Sequence, residues 1–454
     1  MNTRIPIVAA AVCVVVTACG TAEVASPGTS DGGSTTTSTL APTTTVVDRG
    51  WLGGEPEWAS AGAGGDDAVY EMAAAPATAA ASAATEAPAA PDQPPIESSL
   101  RAGSVDDNLT FDEYLVYRAR IAQIGIPLRG GDPTGRILVK VTGADGHPVH
   151  GAVVEVSDAA QYDVGTLTTT ADGTARFLPA MWDQPVVGTW TFSAGGQTVT
   201  ADAGGTADLT IDQPGTVIAP VALDVLFLLD ATGSMGDEID RLKTSIDSVA
   251  ARVAALEGSP DVRFGMTVYR DEGDDFVTST FDFTSDVDAF RAALADVVAA
   301  GGGDTPEALD EAFDEAVTAP SWRDPATTLQ LVFLVADAAP HVERQVTGYD
   351  VSTRTAVSRG IKVFPVASSE SDDQAEAVFR QIAEATGARF VFLSYGAAGA
   401  ATGPSTNIDK TDYEELALDD LVVRLVAEEV AALTGDEAVV PPPTPTTTTN
   451  PPQQ

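Results

Sequence analysis

Two carboxylates and three hydroxyls are spaced along the chain in a way that could hold a metal ion. Asp230, Thr232 and Ser234 alternate with other residues directly after a long apolar run. Thr305 precedes a proline at the start of a predicted helix, and Asp337 follows a second apolar run. All five side chains offer hard oxygen ligands, which suit Mg²⁺, Mn²⁺ or Ca²⁺ and not zinc. The sequence therefore predicts a divalent-metal site if the fold brings these positions together.

A doubly wound α/β domain over residues 217–435 would bring them together. Residues 221–229 and 329–336 are near-continuous apolar runs, which are typical of parallel strands covered on both faces. Between the strands, apolar residues recur every three or four positions, as in residues 239–256, and predict helices. Residues 276–283 alternate with polar residues and predict an antiparallel edge strand. Ligands of such a sheet bind beyond the carboxyl ends of its strands, where the oxygen-bearing residues are expected.

At these residues the second half of the chain resembles the von Willebrand factor A family. The metal-ion-dependent adhesion site of that family has the pattern Asp-x-Ser-x-Ser, then a distant Thr, then a distant Asp. Asp230, Thr232 and Ser234 match the first part, with a Thr in place of the first Ser that keeps the hydroxyl. Thr305 matches the second part and Asp337 the third. The resemblance implies a bound Mg²⁺, with Mn²⁺ or Ca²⁺ as alternatives, and a partner protein that supplies an Asp or Glu to the ion.

Each of these residues also has an ordinary structural interpretation. Thr305 or Ser234 could cap a helix, and Asp230 or Asp337 could accept hydrogen bonds from loop amides. The occurrence of all of them in family order favours the metal site. The acidic run at residues 271–275 has a spacing that fits no cation loop, so a solvated loop is favoured there over an auxiliary Ca²⁺ site.

The sequence favours binding over catalysis. It contains no Gly-x4-Gly-Lys phosphate loop, no Gly-x-Gly-x-x-Gly fingerprint opening the sheet and no Gly-x-Ser-x-Gly elbow, which argues against a nucleotide ligand and an enzyme. Of the three histidines only His341 lies near the predicted site, and a loop-packing role is favoured for it over a general base. The predicted function is a cell-envelope adhesion or protein-binding module. The alternatives are a metal-dependent envelope hydrolase and a purely structural surface spacer.

The first 19 residues predict export and a lipid anchor. Arg4 precedes an apolar run at residues 5–16, which is too short to span a bilayer but fits the core of a signal peptide. The run leads into Val16-Thr-Ala-Cys19, which resembles a bacterial lipobox, so Cys19 is expected to carry the lipid on the outer face of the cell membrane or envelope. The other cysteine, Cys13, lies in the segment that would be removed, so no intrachain disulfide is expected.

A second, smaller folded region is predicted over residues 100–213. Residues 111–124 show helical spacing, and short strands with Gly and Asp turns follow them. This region is expected to form a helical segment and a small antiparallel β-sandwich. It resembles immunoglobulin-like and carboxypeptidase-regulatory-like modules, which usually serve as spacers or binding modules.

The remaining segments are predicted to lack a packed core. Residues 20–99 are rich in Thr, Ala, Gly and Pro, and residues 436–454 are rich in Pro and Thr, so a disordered tether and tail are expected. Residues 396–412 form a Gly/Ala/Thr-rich segment with no assigned role. The net charge of −42, from 66 acidic and 24 basic residues, disfavours nucleic acid as a partner.

Overall fold

A computed structural model describes residues 101–215, 220–303, 305–368, 371–394, 416–435 and 438–441. The predicted signal peptide with Cys19, the tether and residues 396–412 lie outside these ranges, as does the tail beyond residue 441. All described residues belong to one compact unit, Ala90–Gln454. Within the described ranges, no helix combines the length and the hydropathy that a membrane span requires.

The described chain contains fifteen strands and seven α-helices, numbered in chain order. The strands are β1 (Arg101–Val105), β2 (Ile137–Gly143), β3 (Val153–Ser157), β4 (Asp163–Thr168), β5 (Thr174–Phe177), β6 (Thr189–Ala194), β7 (Gln197–Asp202), β8 (Thr206–Ile211), β9 (Ala222–Asp230), β10 (Asp261–Tyr269), β11 (Thr278–Thr284), β12 (Thr328–Ala336), β13 (Ile361–Ala367), β14 (Phe390–Ser394) and β15 (Leu416–Ala417). The helices are α1 (Phe111–Ile124), α2 (Gly236–Ala254), α3 (Val287–Ala295), α4 (Leu309–Thr318), α5 (Tyr349–Arg359), α6 (Asp373–Thr386) and α7 (Leu418–Thr434).

An eight-stranded sheet forms the centre of the larger region. Its order is β11-β10-β9-β12-β13-β14-β1-β15. The five strands from β10 to β14 in this order run parallel, whereas β11 pairs antiparallel with β10 at one edge. The mostly parallel sheet with flanking helices is thus confirmed, and so is the antiparallel edge strand.

The two central strands are buried on both faces, as their apolar sequences predict. Every residue of β12 is buried, and so are all residues of β9 after the first. Phe227, Phe333 and Phe364 occupy matching positions on β9, β12 and β13, with ring centroids 5.9 and 5.3 Å apart. Each buried phenylalanine contributes roughly 1.5–3 kcal/mol through the hydrophobic effect, so this row of rings fixes the register of the strands that carry the predicted site.

Two smaller sheets, β5-β2-β8 and β4-β3-β6-β7, lie between β1 and β9 in the chain and share one apolar core. Phe177 is at the centre of that core, with ring centroids 5.5 Å from Trp182 and 5.8 Å from Phe192. One pairing differs from the predicted antiparallel sandwich, because β2 and β8 run parallel. The chain between these two strands is long enough for the crossover that a parallel pair requires. The immunoglobulin-like assignment of this region stays a prediction.

The smaller sheets pack against the amino edge of the large sheet. His150 donates from Nε2 to the carbonyl of Thr328, the first residue of β12, over 3.1 Å. The hydroxyl of Thr168 donates to the carbonyl of Ser358 near the end of α5, over 2.7 Å. His150 is buried in this contact, which gives it a structural role.

The segment before the smaller sheets joins the large sheet, although the predicted boundaries 100–213 assign it to the smaller region. Strand β1 lies between β14 and β15 and pairs antiparallel with both. Tyr114, Tyr117 and Ile121 of α1 pack against Ala377 of α6. A strand of five residues without clear alternation carries no sequence signal for a partner almost 300 residues away.

A buried ion pair ties this segment to α6. Asp107 is 1% exposed and accepts two hydrogen bonds from Arg380, at 2.9 and 2.7 Å. The guanidinium of Arg380 also lies 3.7 Å from the ring centroid of Tyr117 and bonds Glu376 at 3.0 Å. Such a two-pronged pair is geometrically specific, and removing one partner leaves a charge without full compensation.

We expect the substitution Asp107→Ala to lower the free energy of unfolding of the full chain by about 3–5 kcal/mol, because Arg380 stays buried without its main partner. Urea denaturation followed by tryptophan fluorescence measures the change. Asp112→Ala, at an exposed position in the first turn of α1, is the matched control with an expected change within about 0.5 kcal/mol. Equal changes for both variants would contradict the stabilising role of Asp107.

Candidate metal centre

The loop after β9 brings one carboxylate and two hydroxyls together. Asp230 is the last residue of β9 and is fully buried. Its Oδ1 accepts hydrogen bonds from the backbone N–H of Thr232 over 2.9 Å and from the Thr232 hydroxyl over 2.7 Å. The Thr232 Oγ1 in turn lies 3.3 Å from Oγ of Ser234, which is exposed. Three of the five predicted ligands therefore form one continuous oxygen cluster that opens to solvent at Ser234.

The second oxygen of Asp230 is buried away from the Thr232 hydrogen bonds. Its Oδ2 makes no hydrogen bond of ordinary geometry among the described residues, and the same holds for the buried hydroxyl of Tyr269 on the neighbouring strand. Burial raises the pKa of Asp230 to about 7, and the negative charge of Asp337 adds to the shift, whereas the hydrogen bonds from Thr232 and the nearby hydroxyl of Tyr269 oppose it. Burying a carboxylate without a partner is costly, and a nearby cation would remove that cost.

Asp337 lies at the same edge of the sheet as Asp230. It follows β12 directly, and β12 is the parallel neighbour of β9. Asp337 is 9% exposed. Its charge raises the pKa values of Asp230, Tyr269 and Glu307, which places it in the same electrostatic environment. The expected meeting of the two aspartates at the carboxyl edge of neighbouring strands is therefore present in the fold.

A glycine loop covers the Asp230 loop. The backbone N–H of Gly233 donates to the carbonyl of Gly301 over 3.1 Å, and that of Gly302 donates to Oδ2 of Asp274 over 2.9 Å. Gly302 has a φ of +66°, a conformation that favours glycine. A Cβ at this position would also lie 3.1 Å from Cβ of Thr232. Both the backbone conformation and the close approach to Thr232 thus require glycine there.

Thr305 is a predicted ligand for which the structure shows no hydrogen bond to the cluster. Its side chain is exposed, and no hydrogen bond among the described residues joins it to Asp230, Thr232 or Ser234. Helix α4 begins at Leu309 and not at the expected position near Pro306.

The backbone between Thr305 and α4 pairs with the segment after β12 instead of forming a helix. Glu307 forms a parallel bridge with Pro340, and its N–H donates to the carbonyl of Ala339 over 3.1 Å. This tertiary contact after β12 competes with the helical conformation and delays the start of the helix.

Glu307 is the residue that the sequence analysis missed. Its side chain is 3% exposed, and Oε2 has no hydrogen-bond partner among the described residues. The pKa of Glu307 is raised to about 8. Burial is the largest cause, and the negative charges of Asp230, Asp271 and Asp337 raise the pKa further. The available signal was a carboxylate two positions from a predicted ligand, but an acidic residue before a helix has an ordinary explanation in the helix dipole.

The acidic run at residues 271–275 has protein partners. Asp271 contacts Nε2 of His341 over 3.1 Å, and the other ring nitrogen of that histidine lies 3.2 Å from Glu343. Asp274 positions the glycine loop through Gly302. These contacts give the run and His341 a role in shaping the rim of the site.

The donor set fits a hard divalent cation. Asp230 and Glu307 each have a buried carboxylate oxygen without a hydrogen-bond partner in the described ranges, and the hydroxyls of Thr232 and Ser234 lie 3.3 Å apart beside Asp230. In the described ranges, no group of three or more His, Cys, Asp or Glu side chains is placed so that it could hold a metal ion. A cation at this edge would therefore draw part of its coordination from hydroxyls and water, as Mg²⁺ commonly does.

Comparison with known sequences identifies the same region. The model of the von Willebrand factor type A domain matches residues 224–397, from within β9 to just after β14. The alpha-protein kinase vwkA of Dictyostelium discoideum is 30% identical over 124 residues, which cover 27% of this chain and 19% of that protein. The von Willebrand factor A domain-containing protein 7 of Rattus norvegicus is 34% identical over 123 residues, 26% of this chain and 12% of that protein. The chain thus matches less than a fifth of the length of these relatives.

Two solved structures match the chain at low sequence identity. The SpRpn10 VWA domain has a TM-score of 0.28 and 15% identity, over 36% of this chain and 82% of that one. The pilus adhesin SpaC from Lactobacillus rhamnosus GG has a TM-score of 0.29 and 10% identity, over 45% of this chain and 32% of that one. These TM-scores are low, so the assignment rests on the sequence match to the family. Residues 224–397 form a von Willebrand factor type A domain, a type that is typically a protein-interaction module and often depends on a metal ion.

Proposed function

We propose that the chain is a cell-envelope protein-binding module that engages an acidic side chain of a partner protein through a divalent cation. Asp230, Thr232, Ser234 and Asp337 would hold the ion, with Thr305 at the rim. The observation that carries this proposal is the fully buried Asp230, whose Oδ2 lacks a hydrogen-bond partner among the described residues. Mg²⁺ is the proposed ion, and Mn²⁺ and Ca²⁺ are the alternatives to be tested.

The arrangement suits an ion that stays partly exposed. Asp230 and Thr232 are buried, whereas Ser234 and Thr305 face solvent, so one side of the ion would be open to a partner. Hydroxyl ligands are neutral and leave much of the ionic charge uncompensated. An Asp or Glu of the partner would then complete the coordination. The proposed role of the site is binding, without a catalytic step.

The proposed location is the outer face of a bacterial cell membrane, with the lipid on Cys19. The support is the sequence pattern at residues 1–19 and the length of residues 20–99, which would hold the folded region away from the membrane. As a flexible coil, this segment would span roughly 50 Å. The smaller sheets, proposed as an immunoglobulin-like module, would act as a spacer fixed to the metal-binding domain.

The first test is calorimetric titration of the full chain with Mg²⁺, Mn²⁺ and Ca²⁺. We expect Asp230→Asn to weaken binding of the preferred ion by at least about tenfold, because it removes a charged ligand without changing the shape of the side chain. Asp240→Asn is the matched control, since Asp240 lies on α2 with 81% of its side chain exposed and carries the same charge. A wild-type chain that binds no divalent ion at millimolar concentration would refute the proposal.

The second test concerns stability without metal. The pKa values of Asp230 and Glu307 are raised to about 7 and about 8, so the folded chain binds protons that the unfolded chain has already released at pH 5. Stability contributed by these protonated groups is therefore lost as the pH rises from about 5 to 8. We expect the Tm of the metal-free chain to fall over this range, and Mg²⁺ to raise it most at pH 8.

The variant Asp230→Asn separates the effect of the site on the pH dependence of Tm from the effect of the acidic surface. We expect this variant to show a shallower decline of Tm with pH and little response to Mg²⁺. Choline chloride at matched ionic strength controls for screening. Identical pH profiles for the wild type and Asp230→Asn would rule out Asp230 as the source of the pH dependence.

The third test addresses the partner. We expect immobilised wild-type chain to retain envelope proteins in the presence of Mg²⁺ and to release them on addition of a chelator. Asp230→Asn should retain none of these proteins, and Asp240→Asn should retain all of them. Retention that survives both the chelator and Asp230→Asn would favour a surface spacer with a metal-independent contact.

A further inference from the structure

Glu307 is a buried carboxylate beside the loops that carry Thr232 and Asp337. It is bridged to Pro340 after β12, while the residue is 3% exposed and its carboxylate has one oxygen without a hydrogen-bond partner in the described ranges. The buried carboxylate of Asp310, one turn further on, bonds Arg129 at 2.9 Å. Asp310 is thus paired with the guanidinium of Arg129, whereas Glu307 has no cationic partner among the described residues.

The Glu307 carboxylate lies against the same backbone as the Thr232 side chain. A Cβ placed on Gly302 would be 3.0 Å from Oε1 of Glu307 and 3.1 Å from Cβ of Thr232. The charges that act on Glu307 come from Asp230, Asp271, Asp337 and Asp274, all of the same sign. A buried carboxylate oxygen without a hydrogen-bond partner is costly, and a cation shared with neighbouring oxygens would offset that cost.

We propose that Glu307 is a further ligand of the divalent cation and reaches the ion from the side that the sequence pattern assigns to Thr305. This inference rests on the proposed function, because it concerns the same ion. Glu307 and Asp230 would provide the charged ligands, and Thr232 and Ser234 the neutral ones. Asp337 would act at longer range through water.

An added carboxylate changes what the site does with its ion. A second charged ligand binds the cation more tightly and also reduces the charge left for a partner. The site would therefore keep its ion bound when no partner is present. The partner's carboxylate would bind this ion less strongly than it would bind an ion held only by neutral ligands. Glu307 would thus raise the affinity of the site for the metal ion and lower the affinity of the bound ion for the partner.

The test compares Glu307→Gln with Glu311→Gln in the full chain. Glu311 lies four residues further along, in the first turn of α4, and its Oε1 is 3.4 Å from Arg344. Its Oε2 is, like that of Glu307, buried without a hydrogen-bond partner in the described ranges, so its variant makes the same change of charge at a carboxylate that already has a cationic partner. Titration calorimetry with Mn²⁺ is expected to give at least a tenfold weaker affinity for Glu307→Gln and less than a threefold change for Glu311→Gln.

A second measurement separates loss of a ligand from damage to the fold. In a chelator at pH 8, Glu307→Gln removes a buried charge, so its Tm is expected to equal or exceed that of the wild type. The increase in Tm on adding saturating Mn²⁺ is expected to be smaller than for the wild type. A lower Tm in the chelator with an unchanged affinity for Mn²⁺ would mark Glu307 as a purely structural residue and overturn the inference.

The outcomes also distinguish this inference from the proposed function. If the wild type binds no divalent ion, the proposed function fails and the inference fails with it. If the wild type binds Mn²⁺, Asp230→Asn does not, and Glu307→Gln binds as well as the wild type, then only the inference about Glu307 is wrong.

Discussion

The burial of Asp230 is the constraint on which the rest of the site depends. The side chain terminates the central strand β9, whose neighbours on both sides are parallel and whose aromatic residue Phe227 is stacked in register with Phe333. Strand β9 therefore cannot shift to expose the carboxylate without disrupting the core. Because the fold fixes the charge in a dry position, the surrounding loops must supply compensation, through the Thr232 hydrogen bonds and, as we propose, through a cation.

A segment that precedes the smaller sheets in the chain also forms part of the large sheet. Strand β1 continues the large sheet beyond β14, and Asp107 and α1 are fastened to α6 by the ion pair with Arg380. The smaller sheets are therefore inserted between two segments of one sheet. Hydrogen bonds such as that from Thr168 to Ser358 fasten the insertion to α5, so the two regions behave as one packed unit.

The sequence was sufficient where the signal is local or repeated. The apolar runs identified β9 and β12, and the spacing from Asp230 to Ser234 identified an oxygen cluster that the structure contains. It was insufficient where distant contacts decide the conformation. The bridge of Glu307 to Pro340 delays the start of α4, and β1 pairs with a strand far along the chain. Both depend on tertiary packing, which no periodicity within a short segment can report.

The direction of β1 determines how a mechanical load would cross the domain. Arg101 pairs with Ser394 at the carboxyl end of β14, so the chain enters the sheet at the edge that also carries Asp230 and Asp337. Four strand spacings separate β1 from β9, a lateral distance of about 19 Å. A load applied between Arg101 and a partner at the site proposed beside Asp230 would pass across the strands along this single edge. The smaller sheets contact the opposite edge of the sheet near Thr328, away from that line of load.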